Sequence, residues 1–228
     1  MSRDELVRNY LDGQLSRRVF VRRLVASGVS AMAALAYVDI LRQASASAGT
    51  VGDFYILVKD YSFVPSPATV ARGRQVRFSF SSLAGHSHSA SDTSALALFD
   101  TGFVAAGGVR FVDRFVAAGT YAYECKEGDH GDMTGTIQVP LTVKPKQGPL
   151  GDSFKITWAS DALTGYVFDV QRKDPGDTAF SNWKRGVTKR SAMFTPNATG
   201  TYRFRARLRR LSNNAKSGWS VTKTLKVT

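Results

Sequence analysis

Across residues 54–139 the apolar residues come in short alternating runs, punctuated by Gly, Pro, Ser and Asp. A period of two is the side-chain repeat of a strand, and a strand alternating in this way buries only one face. Such strands reach a stable core by stacking sheet on sheet, so the stretch reads as a β-sandwich. In Tyr121-Ala122-Tyr123-Glu124-Cys125, alternation puts Tyr121, Tyr123 and Cys125 on the inward face and sends Ala122 and Glu124 outward. A thiol is thereby carried to the interior at the mouth of a loop.

Cys125 is the only cysteine of the 228-residue chain, and within the next eight residues come His130 and Met133. Thiolate, imidazole and thioether are soft donors that hold copper, and one more histidine would complete a blue-copper ligand set. The chain has three histidines, and the other two stand together in Gly85-His86-Ser87-His88-Ser89-Ala90-Ser91-Asp92. An inert buried cysteine and a methionine that only packs are the bland alternatives. Against them stands the placing of every histidine near one candidate loop.

Together these segments resemble the cupredoxins, the plastocyanin and amicyanin type of blue copper protein. The resemblance rests on Tyr61-Ser62-Phe63-Val64-Pro65, Gly73-Arg74-Gln75-Val76-Arg77-Phe78, the His86/His88 segment, Phe99-Asp100-Thr101-Gly102, and the run from Gly119-Thr120-Tyr121 through Cys125 to Met133-Thr134-Gly135. It spans about 90 residues, a domain's worth. It implies a Greek-key sandwich holding one type 1 copper through Cys125, through His130 as the imidazole that breaks the surface, and through Met133 as a long, weak axial ligand. The remaining ligand is His86 or His88. Family spacing counted from Val76 lands on His86, which is preferred, whereas His88-Ser89-Ala90 matches the small residues that follow the ligand; binding by both would give a histidine-rich site without blue character.

The loop departs from the family in its Cys-x4-His-x2-Met spacing, and it carries Lys126, Glu127, Asp129 and Asp132 where prolines and apolar residues are usual. Acidic charge beside an exposed histidine favours Cu(II) and a lower potential, although solvent screens much of it. Phe80 stands near the place of the asparagine that braces the site in relatives, which leaves Ser81 or Ser82 to serve. One cysteine excludes a binuclear centre with two bridging thiolates, and three histidines exclude a multicopper oxidase cluster. The expected role is a one-electron carrier, not an enzyme.

Ser16-Arg17-Arg18-Val19-Phe20-Val21 resembles a twin-arginine export motif, and an apolar stretch from Leu24 to Val38 leads to Ala44-Ser45-Ala46 or Ala46-Ser47-Ala48. That stretch is short of the ~20 residues a membrane span needs. Cleavage is expected after Ala46 or Ala48, with the mature protein in the cell envelope, periplasmic or extracellular. Export also gives an unpaired thiol a reason to hold metal.

Past Val139 the segment Pro140-Leu141-Thr142-Val143-Lys144-Pro145-Lys146-Gln147-Gly148-Pro149-Leu150-Gly151 reads as a linker, for which inter-domain motion is the default. Strands are expected at 154–158, 166–171, 183–187, 191–194, 201–208 and 221–227. Lys155-Ile156-Thr157-Trp158, Gly200-Thr201-Tyr202-Arg203-Phe204-Arg205-Ala206 and Gly218-Trp219-Ser220 resemble a fibronectin type III module. Charge separates the halves: residues 49–148 carry nine Lys+Arg against nine Asp+Glu, and residues 149–228 carry fifteen against five. Alternation sends Arg203, Arg205, Arg207 and Arg209 to one outward face. Such a row repels itself unless an anion lies on it, so either an anionic cell-envelope polymer or an acidic partner binds there, or solvent and Asp169 neutralise it. Nucleic acid is not an expected partner.

The expected chain is therefore all-β, a Greek-key cupredoxin sandwich followed by a fibronectin type III-like sandwich, after a helical signal segment. Its divisions are 1–48 export signal, 49–140 copper domain, and 141–228 linker and basic domain. Its expected function is single-electron transfer with redox protein partners. A copper carrier or storage protein, and a copper-free adhesion module, are the alternatives.

Overall fold

The computed structural model describes residues 5–6, 17–30, 32 and 53–228, in two units, Met1–Asp53 and Phe54–Thr228. In the first unit, helix α1 (Arg17–Ala26) starts at the arginine pair. The Ser27 hydroxyl ends it by donating to the Leu24 carbonyl at 2.8 Å. The small-residue sites at 44–48, and residues 31 and 33–38 of the apolar stretch before them, lie outside the described residues. Among the described residues no helix is long and apolar enough to cross a membrane.

The second unit is built from strands, as the alternation predicts. Its first sandwich stacks two four-stranded sheets. One has the order β2 (Ser62–Val64), β1 (Phe54–Lys59), β4 (Val76–Phe80), β6 (Val109–Val112); the other has β3 (Ala68–Thr69), β8 (Thr134–Val139), β7 (Gly119–Glu124), β5 (Ser91–Asp92). β1 and β4 run parallel, with Phe54 opposite Val76, and β7 and β8 run antiparallel. On β4 alternation buries Val76, Phe78 and Phe80. The ring of Phe63 meets those of Tyr123 at 4.6 Å and Phe78 at 6.4 Å, edge to face, which is the favoured geometry for aromatic pairs. Tyr123 faces Gly135 across β7 and β8, and a Cβ at that glycine would fall on the Tyr123 ring.

The second sandwich stacks β14 (Ser191–Phe194), β11 (Phe154–Thr157) and β9 (Thr142–Lys144) on the five-stranded order β10 (Gln147–Gly148), β16 (Lys223–Val227), β15 (Gly200–Arg210), β12 (Tyr166–Lys173), β13 (Ser181–Val187). The Tyr202 hydroxyl donates back to the Ala198 carbonyl at 3.0 Å, a tyrosine corner of the kind that ties immunoglobulin-like sandwiches. The stretch expected to be a linker carries two short strands: β9 pairs with β11 and β10 with β16. Pro145 lies between these two short strands, so proline at a strand boundary was read as a linker signal.

The two sandwiches are joined by backbone hydrogen bonds, which corrects the expectation of free motion. Ala118 N–H donates to Trp158 C=O at 2.7 Å, Ser160 N–H to Val116 C=O at 2.8 Å, and Thr120 and Gly218 exchange N–H···O bonds at 2.9 and 3.0 Å. Gly119 allows this approach, since a Cβ there would lie 2.5 Å from Ser217 Oγ. Buried side chains run continuously from one sandwich into the other.

Candidate metal centre

The alternation on β7 holds: Tyr121 and Tyr123 are buried, Ala122 and Glu124 exposed, and Cys125 arrives buried just past the strand. The loop that follows closes on itself. Cys125 N–H donates to Met133 C=O at 3.0 Å, Met133 N–H to His130 C=O at 2.7 Å, and His130 N–H to Glu127 C=O at 2.9 Å across a single 3-10 turn, Gly128–His130. These bonds turn the His130 ring back toward the thiol.

From the other side comes His88, bridged to Val104 by N–H···O bonds at 3.1 and 2.8 Å. Cys125 Sγ lies 3.9 Å from His88 Nδ1 and 3.6 Å from His130 Nδ1. The sulfur and the two imidazoles offer donor atoms that all lie within 4.8 Å of one another, and all three residues are buried. A metal with bonds of about 2.3 Å to sulfur and about 2.05 Å to nitrogen, in trigonal geometry, separates those donors by about 3.8 Å. The observed pair of distances brackets that figure, so the donor set fits a first-row ion.

Two expectations are corrected here. The preferred upstream ligand, His86, is exposed and stands outside the trio, with its ring edge-on to His130 at 5.5 Å. Gly85 and His86 form a bend, so strand alternation does not carry from residue 86 to 88, and only His88 is drawn inward. The second correction concerns His130, expected at the surface but only 1% exposed. Tyr61 packs on it edge-on at 4.6 Å, and His88 stacks on it at 4.6 Å and 19°. His130 Nε2 is buried without a hydrogen-bond partner. An orphaned polar atom of this kind costs about 1–3 kcal/mol, so stability alone does not account for this histidine. Met133 is buried at 2% in the same core and frames the loop through both of its backbone groups.

Groups that sequence reasoning missed brace the trio. Ser89 N–H points at Cys125 Sγ at 3.4 Å, and Ser89 Oγ accepts from Lys126 N–H at 2.8 Å. This is the bracing role assigned to Ser81 or Ser82, whereas Ser81 Oγ only accepts from Leu83 N–H within its own turn. The signal was adjacency to His88. Asp100 fixes the loop's far side, taking Lys126 Nζ at 2.6 Å, Ser91 Oγ at 2.8 Å and Gly102 N–H at 2.9 Å. The lysine ammonium, with that backbone N–H, holds the Asp100 carboxyl below the usual carboxylate range. Asp60 accepts from Gly85 N–H at 2.9 Å and contacts His88 Nε2 at 2.8 Å. The Gly85 bond chiefly, against some burial, lowers its carboxyl too.

The arginine row is not an open anion site. Asp169, 3% exposed, accepts from Arg207 Nε at 3.1 Å and Arg209 Nε at 3.3 Å, and Gln171 Oε1 takes two bonds from Arg205 at 2.7 and 2.9 Å. Arg205 lies 4.1 Å from the Phe180 ring centroid, and Arg207 lies 4.2 Å from that of Trp219. Of the four, only Arg203 is exposed. Of the two readings of the row, this favours neutralisation by Asp169, with aromatic rings taking the rest in place of an external anion.

No protein-family profile and no curated protein matches the chain. Solved amicyanin structures do match. A reduced Cu(I) form of an amicyanin mutant at pH 4 is 17% identical, covering 42% of this chain and 89% of that one at a TM-score of 0.35. A reduced amicyanin with tyrosine in place of a tryptophan is 18% identical over the same shares at 0.35. The Cu(I) form of a third amicyanin mutant is 17% identical, again over 42% and 89%, at 0.35.

Proposed function

We propose that this chain is an exported type 1 copper protein that passes single electrons between redox protein partners, with the first sandwich of the cupredoxin kind. The observation that supports this most is the buried meeting of Cys125 Sγ with the Nδ1 atoms of His88 and His130. His88, Cys125 and His130 would hold the ion, with Met133 as a weak fourth donor. Bound copper would supply a one-electron couple. The protein's part is to keep the donors in place through both oxidation states, which the closed loop, the Ser89 bonds and the stacked imidazoles favour.

Burial of all three donors favours moving electrons over moving ions, since a carrier or storage site must open to release its cargo. It also weighs against an adhesion module that has lost copper, because such a module has no use for two buried imidazoles converging on a buried thiol. The second sandwich, three strands on five with a tyrosine corner, supports the fibronectin type III-like reading, and its role is to support and position the first. Export rests on the Ser16-Arg17-Arg18-Val19-Phe20 motif; changing both arginines to lysine is expected to leave the protein in the cytoplasm, and undiminished export would reject the twin-arginine route.

The test is a visible spectrum after adding Cu(II) and then a reductant. An intense band that bleaches and returns supports the electron carrier, whereas a tight but colourless or redox-inert complex supports carriage. Absence of copper binding refutes both.

A further inference from the structure

Resting on the copper reading, we infer that Asp60 is the positioning residue of the site: its carboxylate holds His88 in the Nε2–H tautomer, so that Nδ1 turns a lone pair toward Cys125 Sγ. A carboxylate can only accept, so the ring nitrogen 2.8 Å from Asp60 Oδ1 must donate. In a neutral imidazole the other nitrogen is then bare, and it is the one 3.9 Å from the sulfur. Asp60 cannot easily swing away, because its second oxygen is held by Gly85 N–H at 2.9 Å. That bond also ties down the bend that separates exposed His86 from buried His88.

The backbone around Asp60 is not relaxed. Lys59 pairs with Ser62, which leaves Asp60-Tyr61 as a two-residue hairpin turn, and Tyr61 sits at φ 60. Tight hairpins need that left-handed conformation but normally give it to Gly, Asn or Asp, and an aromatic there is disfavoured. The conformation sets Tyr61 against His130 at 4.6 Å while Asp60 reaches His88. One turn thus orients one imidazole and covers the other. Carboxylates bonded to the remote nitrogen of a ligating histidine fix its tautomer and raise its basicity, and losing them typically lowers metal affinity about 10–100-fold.

The test uses the full chain with Asp60→Ala and Asp60→Asn, read by imidazole nitrogen NMR without copper at a pH where His88 is neutral, and by Cu(II) competition and potentiometry. In the wild type His88 is expected as the Nε2–H tautomer alone. Asp60→Ala is expected to mix the tautomers, weaken Cu(II) binding about 10–100-fold and raise the midpoint potential. Asp60→Asn keeps an acceptor without the charge, so it restores the tautomer and part of the affinity while the potential stays raised. A single unchanged tautomer in Asp60→Ala, or a Cu(II) affinity equal to the wild type's, overturns the inference. If the wild type takes no copper, the copper reading fails by itself. The tautomer experiment still decides for or against Asp60.

Discussion

Cys125 Sγ is the single sulfur through which the proposed colour and the tight binding both arise, because an intense visible band requires a thiolate on copper. Cys125→Ser replaces it with a hard oxygen of nearly the same size, so the fold is expected to persist while the band disappears; a blue Cys125→Ser protein would refute the site. His88→Ala is expected to bleach the protein too, whereas His86→Ala keeps the band, because only His88 stands with the sulfur. The reverse result would mean that copper redraws the 85–88 bend. At this scale the sequence made the meeting of the thiol with His130 legible, since they lie on one strand and its loop. It left the upstream histidine ambiguous, because a bend at Gly85 and His86 cancels a strand periodicity that two residues cannot reveal. Asp60 and Ser89 were illegible for another reason: each acts across more than 25 residues of chain, on a partner that only the folded sheet brings near.

Strands that carry the site depend on what lies opposite them. Tyr123 on β7 fills the space over Gly135 on β8, and any Cβ there displaces the ring that packs on Phe63 and Phe78. Gly135→Ala is expected to cost about 1–3 kcal/mol by overpacking, measured by urea unfolding; an unchanged midpoint would mean that the ring relocates freely. In the second sandwich the corresponding point is Asp169 on β12. Burial alone would raise its carboxyl, but Gly186 N–H and the guanidiniums of Arg209 and Arg207 outweigh it and hold the group below the usual range. A carboxyl lowered on folding contributes stability that is complete above its unfolded value of about 3.9 and is lost as pH falls through the lower folded value. Stability is therefore expected to drop on acidification below about pH 4. Asp169→Asn removes that portion of the drop and costs about 1–3 kcal/mol at pH 7. Equal stabilities of the two proteins at pH 7 would show that the cluster contributes nothing. Six of the eight strands of this sandwich, β11 to β16, were legible within about two residues at each end, whereas the short β9 and β10 were not. The arginine row was legible as a row and Asp169 as its neutralising partner, but the rings of Phe180 and Trp219 were not, since ring stacking leaves no periodicity.

Across the whole second unit, the consequence is cooperativity. A flexible linker would leave two independently melting sandwiches, whereas backbone bonds at Ala118, Thr120 and Ser160 and a shared core couple them. Each such bond contributes about 1 kcal/mol, and undoing them while one sandwich stays folded also exposes apolar surface. The molecule supplies its own probes: all three tryptophans lie in the second sandwich, and the proposed copper band belongs to the first. Loss of the band and the change in tryptophan emission are therefore expected at the same denaturant concentration, as two-state behaviour requires. Gly119→Val, which drives a side chain into Ser217, is expected to separate the two transitions while leaving the band intact before the first of them. Its strand-mate Thr120 pairs with Gly218 on the far side of the same seam, so the loss should spread along it. Transitions already separate in the wild type would mean that the seam is too weak to make one unit of the two, and the second sandwich would then be a tethered neighbour instead of a support.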